Sequence, residues 1–437
     1  MPLWAPLPTT YSYVSILNIP ISMSGIEALT LADMAPTRPS RTIMMVNQLY
    51  PPMQVGGAEK SVSLLAEAMV RAGHRVVAVT LGMGNEREDE ERNGVTVVRL
   101  PLDNLFWAFD NTNKESAPKR MAWHVLDMWN LKAAKRFAAI VEEFRPDVVH
   151  TNVLVGFSVA IWAELKKRNI PIIHTLRDYS MLCGRSTLFR HNHICETRCT
   201  DCQALTAVRK FRSDLVSAVA SNSDYVIKQH LKHGYFKGRP ASVIFNIADL
   251  SAKPAAADTP TDELVFGFIG QVNEEKGIGV VLEATRKMKR SNWRLKIAGR
   301  GPAEYIDGLK ARYGDPRIEW LGFAKPEEFY TSIDTSLIAS IWPEPLPRTL
   351  IESFAYGRSA LCARSGGIPE IASIGKCVAE YDPFDSDTLA QLMDAAIDDM
   401  PRWKRAEPAD PAFFAAFSEA EIVGRYSTLY EQAIADK

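Results

Sequence analysis

Thr42–Thr80 reads TIMMVNQLYPPMQVGGAEKSVSLLAEAMVRAGHRVVAVT. A short apolar run, Thr42–Asn47, leads into a turn with two adjacent glycines, Gly56 and Gly57. Ala58–Ala72 follows with apolar residues at helical spacing, and Val76–Thr80 is a second β-branched run. Continuous apolar strands separated by a helix indicate parallel strands covered on both faces. The alternation continues outward from this unit. Val95–Leu100, Val148–His150, Ile170–Thr175 and Ser242–Phe245 read as strands, with helices over Lys119–Phe144 and Phe157–Arg168.

Asp249–Glu263, DLSAKPAAADTPTDE, is rich in Ala, Pro and acidic residues and reads as a linker. A second series follows it. Leu264–Ile269, Arg294–Ala298, Ile318–Leu321, Ser336–Ala339, Ala360–Ala363 and Cys377–Ala379 are its expected strands. Lys276–Lys289, Ala303–Tyr313, Arg348–Tyr356 and Ser386–Asp398 are its expected helices. The expected fold is therefore α/β: two Rossmann-like, doubly wound parallel-sheet domains, residues 40–248 and 264–417, facing across a cleft. Residues 418–437 are expected to form a helix that packs back at the interface. In such sheets ligands sit beyond the carboxyl ends of the strands.

Composition narrows the function. With 437 residues, 51 Lys plus Arg and 52 Asp plus Glu, the net charge is -1. No global charge draws the chain to nucleic acid or anionic lipid, so such contacts need a local patch. No run approaches the length of a spanning helix. Residues 1–39 lack a basic start and are punctuated by Pro, so they make a poor signal peptide. They are expected to be a loosely ordered extension or an upstream start, with Met34 and Met44 as later ones. A cytoplasmic protein is the expectation.

Three segments carry chemistry. Trp342–Ser353, WPEPLPRTLIES, places Glu344 and Glu352 eight residues apart across the start of a helix. Free amides and the positive dipole end at that start suit a diphosphate, and Glu352, further along, suits vicinal ribose hydroxyls. Pro347 has no N–H, so the amides for phosphate are expected from Arg348 and Thr349. Gly267–Gly279, GFIGQVNEEKGIG, places Lys276 in the first turn of the next helix, where it can neutralise a phosphate. Tyr50–Glu59, YPPMQVGGAE, lets backbone approach a ligand at Gly56 and Gly57. Taken singly, each is also what an ordinary capped helix or βα turn looks like. None matches the G-x-G-x-x-G dinucleotide fingerprint.

In this order the segments resemble the retaining glycosyltransferases of family 4, which have the GT-B fold. The pieces are GGAEKSVSLLAEAMVRAGHRVVAVT, PDVVHTN, IIHTLRDY, SNSDYV, VIFNIAD, IGQVNEEKG, IAGRGP and EPLPRTLIES, from about Arg41 to Tyr430. The resemblance implies metal-independent transfer of a sugar from a nucleoside diphosphate donor to a hydroxyl acceptor, sugar or lipid-linked. It places Glu344 on donor-sugar hydroxyls, Glu352 on ribose, Lys276 on the diphosphate and Gly57 in a loop closing on the phosphates. Three positions depart from the family. Gln271 stands where many members have Arg, Pro347 where many have a small residue, and Arg177 where many have His. Arg177 can supply the charge missing at Gln271, or mark a different acceptor. A same-fold phosphorylase or epimerase, and a non-catalytic nucleotide-sugar-binding subunit, remain alternative readings.

Two further segments stand apart. Cys183, Cys195, Cys199 and Cys202 fall within twenty residues, in an expected insertion over 181–207. Four thiolates can satisfy a structural zinc, His191 and His193 can substitute, and a loop with packed thiols is the alternative. Cys362 and Cys377 read as core. Ser116–Arg136 interleaves Lys119, Arg120, Lys132, Lys135 and Arg136 with Trp123 and Trp129. Such a helix can rest peripherally on the inner face of an anionic membrane or simply be half-buried with a solvated basic face.

Overall fold

The computed structural model describes residues 39–53, 57–107, 115–248, 250, 262–404 and 410–436. Strands of the first lobe are β1 (Thr42–Val46), β2 (Arg75–Gly82), β3 (Glu88–Arg92), β4 (Val95–Pro101), β5 (Val148–Thr151), β6 (Ile172–Leu176), β7 (Phe189–Arg190), β8 (His193–Ile194), β9 (Ala218–Ser221) and β10 (Ala241–Val243). Eight of them form one sheet in the order β10-β9-β6-β5-β1-β2-β4-β3, parallel except for β3; β7 and β8 pair as a separate hairpin. Period-two alternation makes this a three-layer core. On β1, Met44 and Val46 pack into one layer while Ile43 and Met45 pack into the other.

The second lobe carries β11 (Leu264–Ile269), β12 (Trp293–Ala298), β13 (Ile318–Gly322), β14 (Thr335–Ile338), β15 (Ser359–Ala363) and β16 (Val378–Tyr381). They form an all-parallel sheet in the order β13-β12-β11-β14-β15-β16. This is the doubly wound α/β architecture with two parallel-sheet units. Chain order reverses between β1 and β5 in the first sheet and between β11 and β14 in the second. At each reversal the loops leave in opposite directions and open a crevice at the strands' carboxyl ends.

Several elements differ from the sequence reading. β9 was not expected, because AVAS carries little strand signal. Nor was β3, EDEER, an edge strand with no apolar residue; its charges keep that edge soluble. The single helix expected over Lys119–Phe144 is two, Ala117–Met128 and Leu131–Phe144. Asn130 ends the run by capping: its side chain accepts from Ala133 N–H at 3.0 Å. The last helix, Glu419–Ala435, lies on the first lobe, its Ile422, Tyr426, Leu429 and Tyr430 buried in the layer that holds Ile43 and Met45. Residues 1–38, most of the expected linker, and Gly56 lie outside the described residues. Among the described residues no helix is long and apolar enough to cross a membrane.

Candidate functional site

Both chain reversals open on one cleft of about 880 Å³, lined by Gly57, Val153, Val155 and Arg177 from one lobe and by Gln271, Lys276, Glu344, Arg348 and Thr349 from the other. The loop after β11 is folded by a local bond: Asn273 Oδ1 accepts from Lys276 N–H at 3.0 Å. Its helix is Ile278–Lys287, so Lys276 precedes the helix and does not sit in its first turn as expected. The cause is Gly277, at φ 71°, whose absent Cβ would lie 1.8 Å from the Ala339 carbonyl oxygen. That close approach draws Lys276 to the end of β14. Its ammonium donates to both oxygens of Glu344, at 2.7 and 2.8 Å, and Ser340 Oγ donates to the same carboxylate at 2.6 Å. Gly366, at φ 60°, fixes Glu344 from the other side; a Cβ there would lie 2.3 Å from the Glu344 carbonyl oxygen.

The helix after β14 is Arg348–Ala355, capped by Pro347. One expected phosphate amide is already used, since Arg348 N–H donates to the Leu346 carbonyl at 3.0 Å. Pro347 turns the chain back on itself there. Thr349 N–H has no acceptor among the described residues, so it is the amide left to a ligand. Glu352 does not face the same cavity as Glu344. It lines an adjoining one of about 860 Å³ with Pro326 and Tyr356, and the two cavities share Asn246, Leu346 and Arg348. Arg348 lies 3.5 Å from Glu352, and the Tyr330 hydroxyl lies 3.3 Å from it.

Arg177 leaves the end of β6 and is buried, with its Nε donating to Asn152 at 2.8 Å and a terminal nitrogen donating to Asn246. These partners are neutral, and burial pushes the guanidinium pKa down. A buried cation without a matching carboxylate favours an anion in the adjoining cleft. His174, three residues earlier, points into the opposite layer, between Trp162 and Phe236. Burial pushes it down to about 3, so it stays neutral. Gly57 opens the first helix, Gly57–Arg71, its Cβ position 3.9 Å from Arg348.

Two other cleft residues, Asp127 and Asn222 of SNSDYV, are not among the expected site residues. Asp127 is fully buried, accepting from Arg209 at 2.7 Å and Gly156 N–H at 2.6 Å. Asn222 lines the cleft, its buried Oδ1 lacking a hydrogen-bond partner among the described residues. The lobes are also latched. Glu370 of the second lobe accepts from Asp224 and Tyr225 N–H, at 2.8 and 2.6 Å, at the start of first-lobe helix Asp224–Lys232. Tyr179 OH donates to the Pro343 carbonyl at 2.7 Å.

A family model described as "Glycosyl transferase 4-like domain" matches residues 56–230, and "Glycosyl transferases group 1" matches 251–410. An uncharacterized 42.6 kDa protein in the cps region of Klebsiella pneumoniae is 32% identical over 333 residues, 76% of this chain and 87% of that protein. An uncharacterized glycosyltransferase of Methanocaldococcus jannaschii is 26% identical over 82% of this chain and 89% of its own. Sucrose-phosphate synthase from Thermosynechococcus elongatus superposes with a TM-score of 0.70 at 20% identity, covering 91% of this chain and 100% of that one. Anabaena HepE, solved in complex with UDP-glucose, superposes at 0.65 with 16% identity, covering 90% of this chain and 100% of that one.

The chain belongs to the group 1 glycosyltransferases, with the GT-B fold.

In this glycosyltransferase the thiols of the cysteine-rich insertion pack together on the first-lobe core. Cys183 and Cys202 sulfurs lie 3.7 Å apart, but among the described residues no group of three or more His, Cys, Asp or Glu is placed to hold a metal ion. Cys199 also lies in side-chain hydrogen-bonding contact with Cys202, so zinc at Cys183, Cys195, Cys199 and Cys202 stands as a proposal. Other contacts organise the loop. Cys183 is buried in the first-lobe core, with Cys195 and Cys202 packed against it. Arg198 donates to the Leu182 and Cys202 carbonyls at 2.8 and 3.0 Å and stacks on Tyr235.

Proposed function

We propose that this glycosyltransferase moves a sugar from a nucleoside diphosphate donor to a hydroxyl acceptor with retention at the anomeric carbon. The observation that carries the reading is the convergence of Lys276, Glu344, Arg348, Arg177 and the Thr349 amide on one inter-lobe cleft. Lys276, the Arg348 side chain and Thr349 N–H are assigned to the diphosphate. Glu344, drawn off Lys276 when a diphosphate competes for the ammonium, is assigned to donor-sugar hydroxyls. Glu352 in the adjoining cavity is assigned to the ribose, and Gly57 to the loop facing the phosphates. Arg177 is assigned the charge that Gln271 lacks.

As the glycosidic bond breaks, negative charge grows on the departing diphosphate. Fixed cations and an aligned amide in a closed cleft stabilise that charge without reorganising. We assign the Glu370 and Tyr179 contacts between the lobes to holding the cleft closed, and their release to the hinge motion of each turnover. Assembly of cell-surface polysaccharide or glycolipid is the setting we assign. It is supported by the cps-region relative and by a Salmonella typhimurium lipopolysaccharide N-acetylglucosaminetransferase, 24% identical over 46% of this chain and 60% of its own.

Thermal denaturation with a panel of nucleotide sugars tests the reading. A true donor at about a hundredfold its Kd adds roughly 2.7 kcal/mol of stability and is slowly hydrolysed to free sugar. Stabilisation without hydrolysis or transfer would leave a binding subunit. No shift from any nucleotide sugar would overturn the proposal.

A further inference from the structure

Helix Ala117–Met128 buries only Trp123 and Asp127. Its outer side leaves Met121, Val125 and Leu126 at 51%, 56% and 44% exposure. Leu131 opens the next helix at 59%, Phe211 stands at 74%, and Leu105 at 46%. These are six of the eleven exposed large hydrophobic side chains among the described residues, so more than half fall on one small region. They are physically joined. Arg212 stacks over both Trp129 and Phe211, at 5.1 and 5.2 Å from the ring centroids, tying the turn before Leu131 to Phe211. Phe106, next to Leu105, packs on Trp123 at 6.1 Å and carries Lys119 over its ring at 5.5 Å.

The exposed charges around this region are predominantly basic. Lys119, Arg120, Lys132, Lys135 and Lys210 are exposed. Most neighbouring acids are covered or engaged: Asp103 is 3% exposed beneath Lys132 and Arg136, Asp127 is buried against Arg209, and Glu115 pairs with Lys119; Asp214, three residues beyond Phe211, is the exposed acid beside the patch. Apolar tips ringed by five exposed long cations, against one exposed acid, match a surface of uniform negative charge over an apolar interior.

We infer that this face is a docking surface for an anionic lipid bilayer. Val125, Leu126, Leu131 and Phe211 enter the headgroup boundary, and the ring of lysines and arginines contacts lipid phosphates. The inner side of the same helix presents Trp123, His124 and Asp127 to the cleft. A docked enzyme therefore holds the first-lobe side of its cleft next to the headgroups. On the proposed function, and only on it, the consequence is an acceptor hydroxyl carried by a membrane lipid.

Co-sedimentation of the full chain with phosphatidylcholine vesicles, with and without phosphatidylglycerol, tests the inference. Binding is expected to the anionic vesicles and to weaken with salt. Each cation near the surface is worth roughly fivefold in partitioning, so R120E/K135E should lose at least about twenty-five-fold. V125S/L131S/F211S, all at exposed positions, should lose roughly tenfold or more even at low salt. Both variants should keep the wild-type rate of donor hydrolysis in solution. Wild-type protein that ignores anionic vesicles, or variants that bind them like wild type, would overturn the inference. Variants that lose self-association in sedimentation velocity but keep vesicle binding would also overturn it, assigning the face to a second copy of the chain. Vesicle binding through this face without any donor hydrolysis would uphold the docking surface and refute the transferase reading.

Discussion

Lys276 and Glu344 are joined by two charge-assisted hydrogen bonds, and each is only partly exposed. On the proposed roles, K276A lowers kcat on the order of a hundredfold, because growing charge on the diphosphate loses its closest cation. KM should change much less. Steady-state kinetics decide it, and a rise in KM alone would make Lys276 a binding residue. E352A should weaken nucleoside diphosphate binding by about 1.5–3 kcal/mol, the worth of a hydrogen bond to a charged group. Its melting temperature should stay near wild type, since Glu352 is not in the core. Calorimetric affinity within twofold of wild type would remove it from the ribose site. Gly277 and Gly366 belong to the same scale. Neither touches a ligand in the proposed site, yet each brings backbone close enough to place Lys276 and Glu344.

Among the elements, helix Asp224–Lys232 shows how one lobe holds the other. Its first amides are doubly claimed: Ser223 caps Val226 N–H from within, and Glu370 caps Asp224 and Tyr225 N–H from the second lobe. A carboxylate suits a helix amino end because the dipole favours negative charge there. E370Q keeps the shape and removes the charge. It should open the lobes in solution, seen as a larger radius of gyration by small-angle scattering, and raise KM with little loss of thermal stability. An unchanged scattering profile would show that the latch is not what closes the cleft.

For the whole molecule, the last helix returns from the second lobe to finish the first. Tyr430 OH shares a 2.7 Å hydrogen bond with His150 Nδ1, and His150 Nε2 shares another with Thr175 at 2.7 Å. Y430F should cost about 1–3 kcal/mol in denaturant unfolding, because a buried imidazole nitrogen loses its partner. A loss below a few tenths of a kcal/mol would mean the bond contributes nothing net. Acid should act through a different buried imidazole, that of His230, packed against Tyr179, Tyr235 and Phe236. His230 is pushed down to about 4 by burial, below the unfolded value of about 6.5. The unfolded chain then binds the extra proton, so this contribution is complete above about pH 6.5 and fades as pH falls towards 4. Between those values the difference in unfolding free energy between wild type and H230N should change by roughly 1.4 kcal/mol per pH unit. Parallel pH profiles for the two proteins would show that His230 titrates normally.

The alternation of apolar runs with amphipathic helices was legible from Thr42 onward, because parallel strands covered on both faces must be apolar throughout. It gave two doubly wound units, and EPLPRTLIES with IGQVNEEKG marked where a ligand would meet the second of them. Short or charged strands escaped: AVAS and EDEER bury little apolar surface of their own and are held by the strands beside them. The break at Asn130 escaped because the periodicity runs through it and only a side-chain cap interrupts it. Tertiary structure alone decided which groups are free to act. Spacing cannot show that the Leu346 carbonyl takes Arg348 N–H, that Arg177 is buried among neutral partners, or that Glu344 and Glu352 open on adjoining cavities. Each of these depends on which atoms from distant segments arrive at the same place, and that is set by packing between lobes and not by order along the chain.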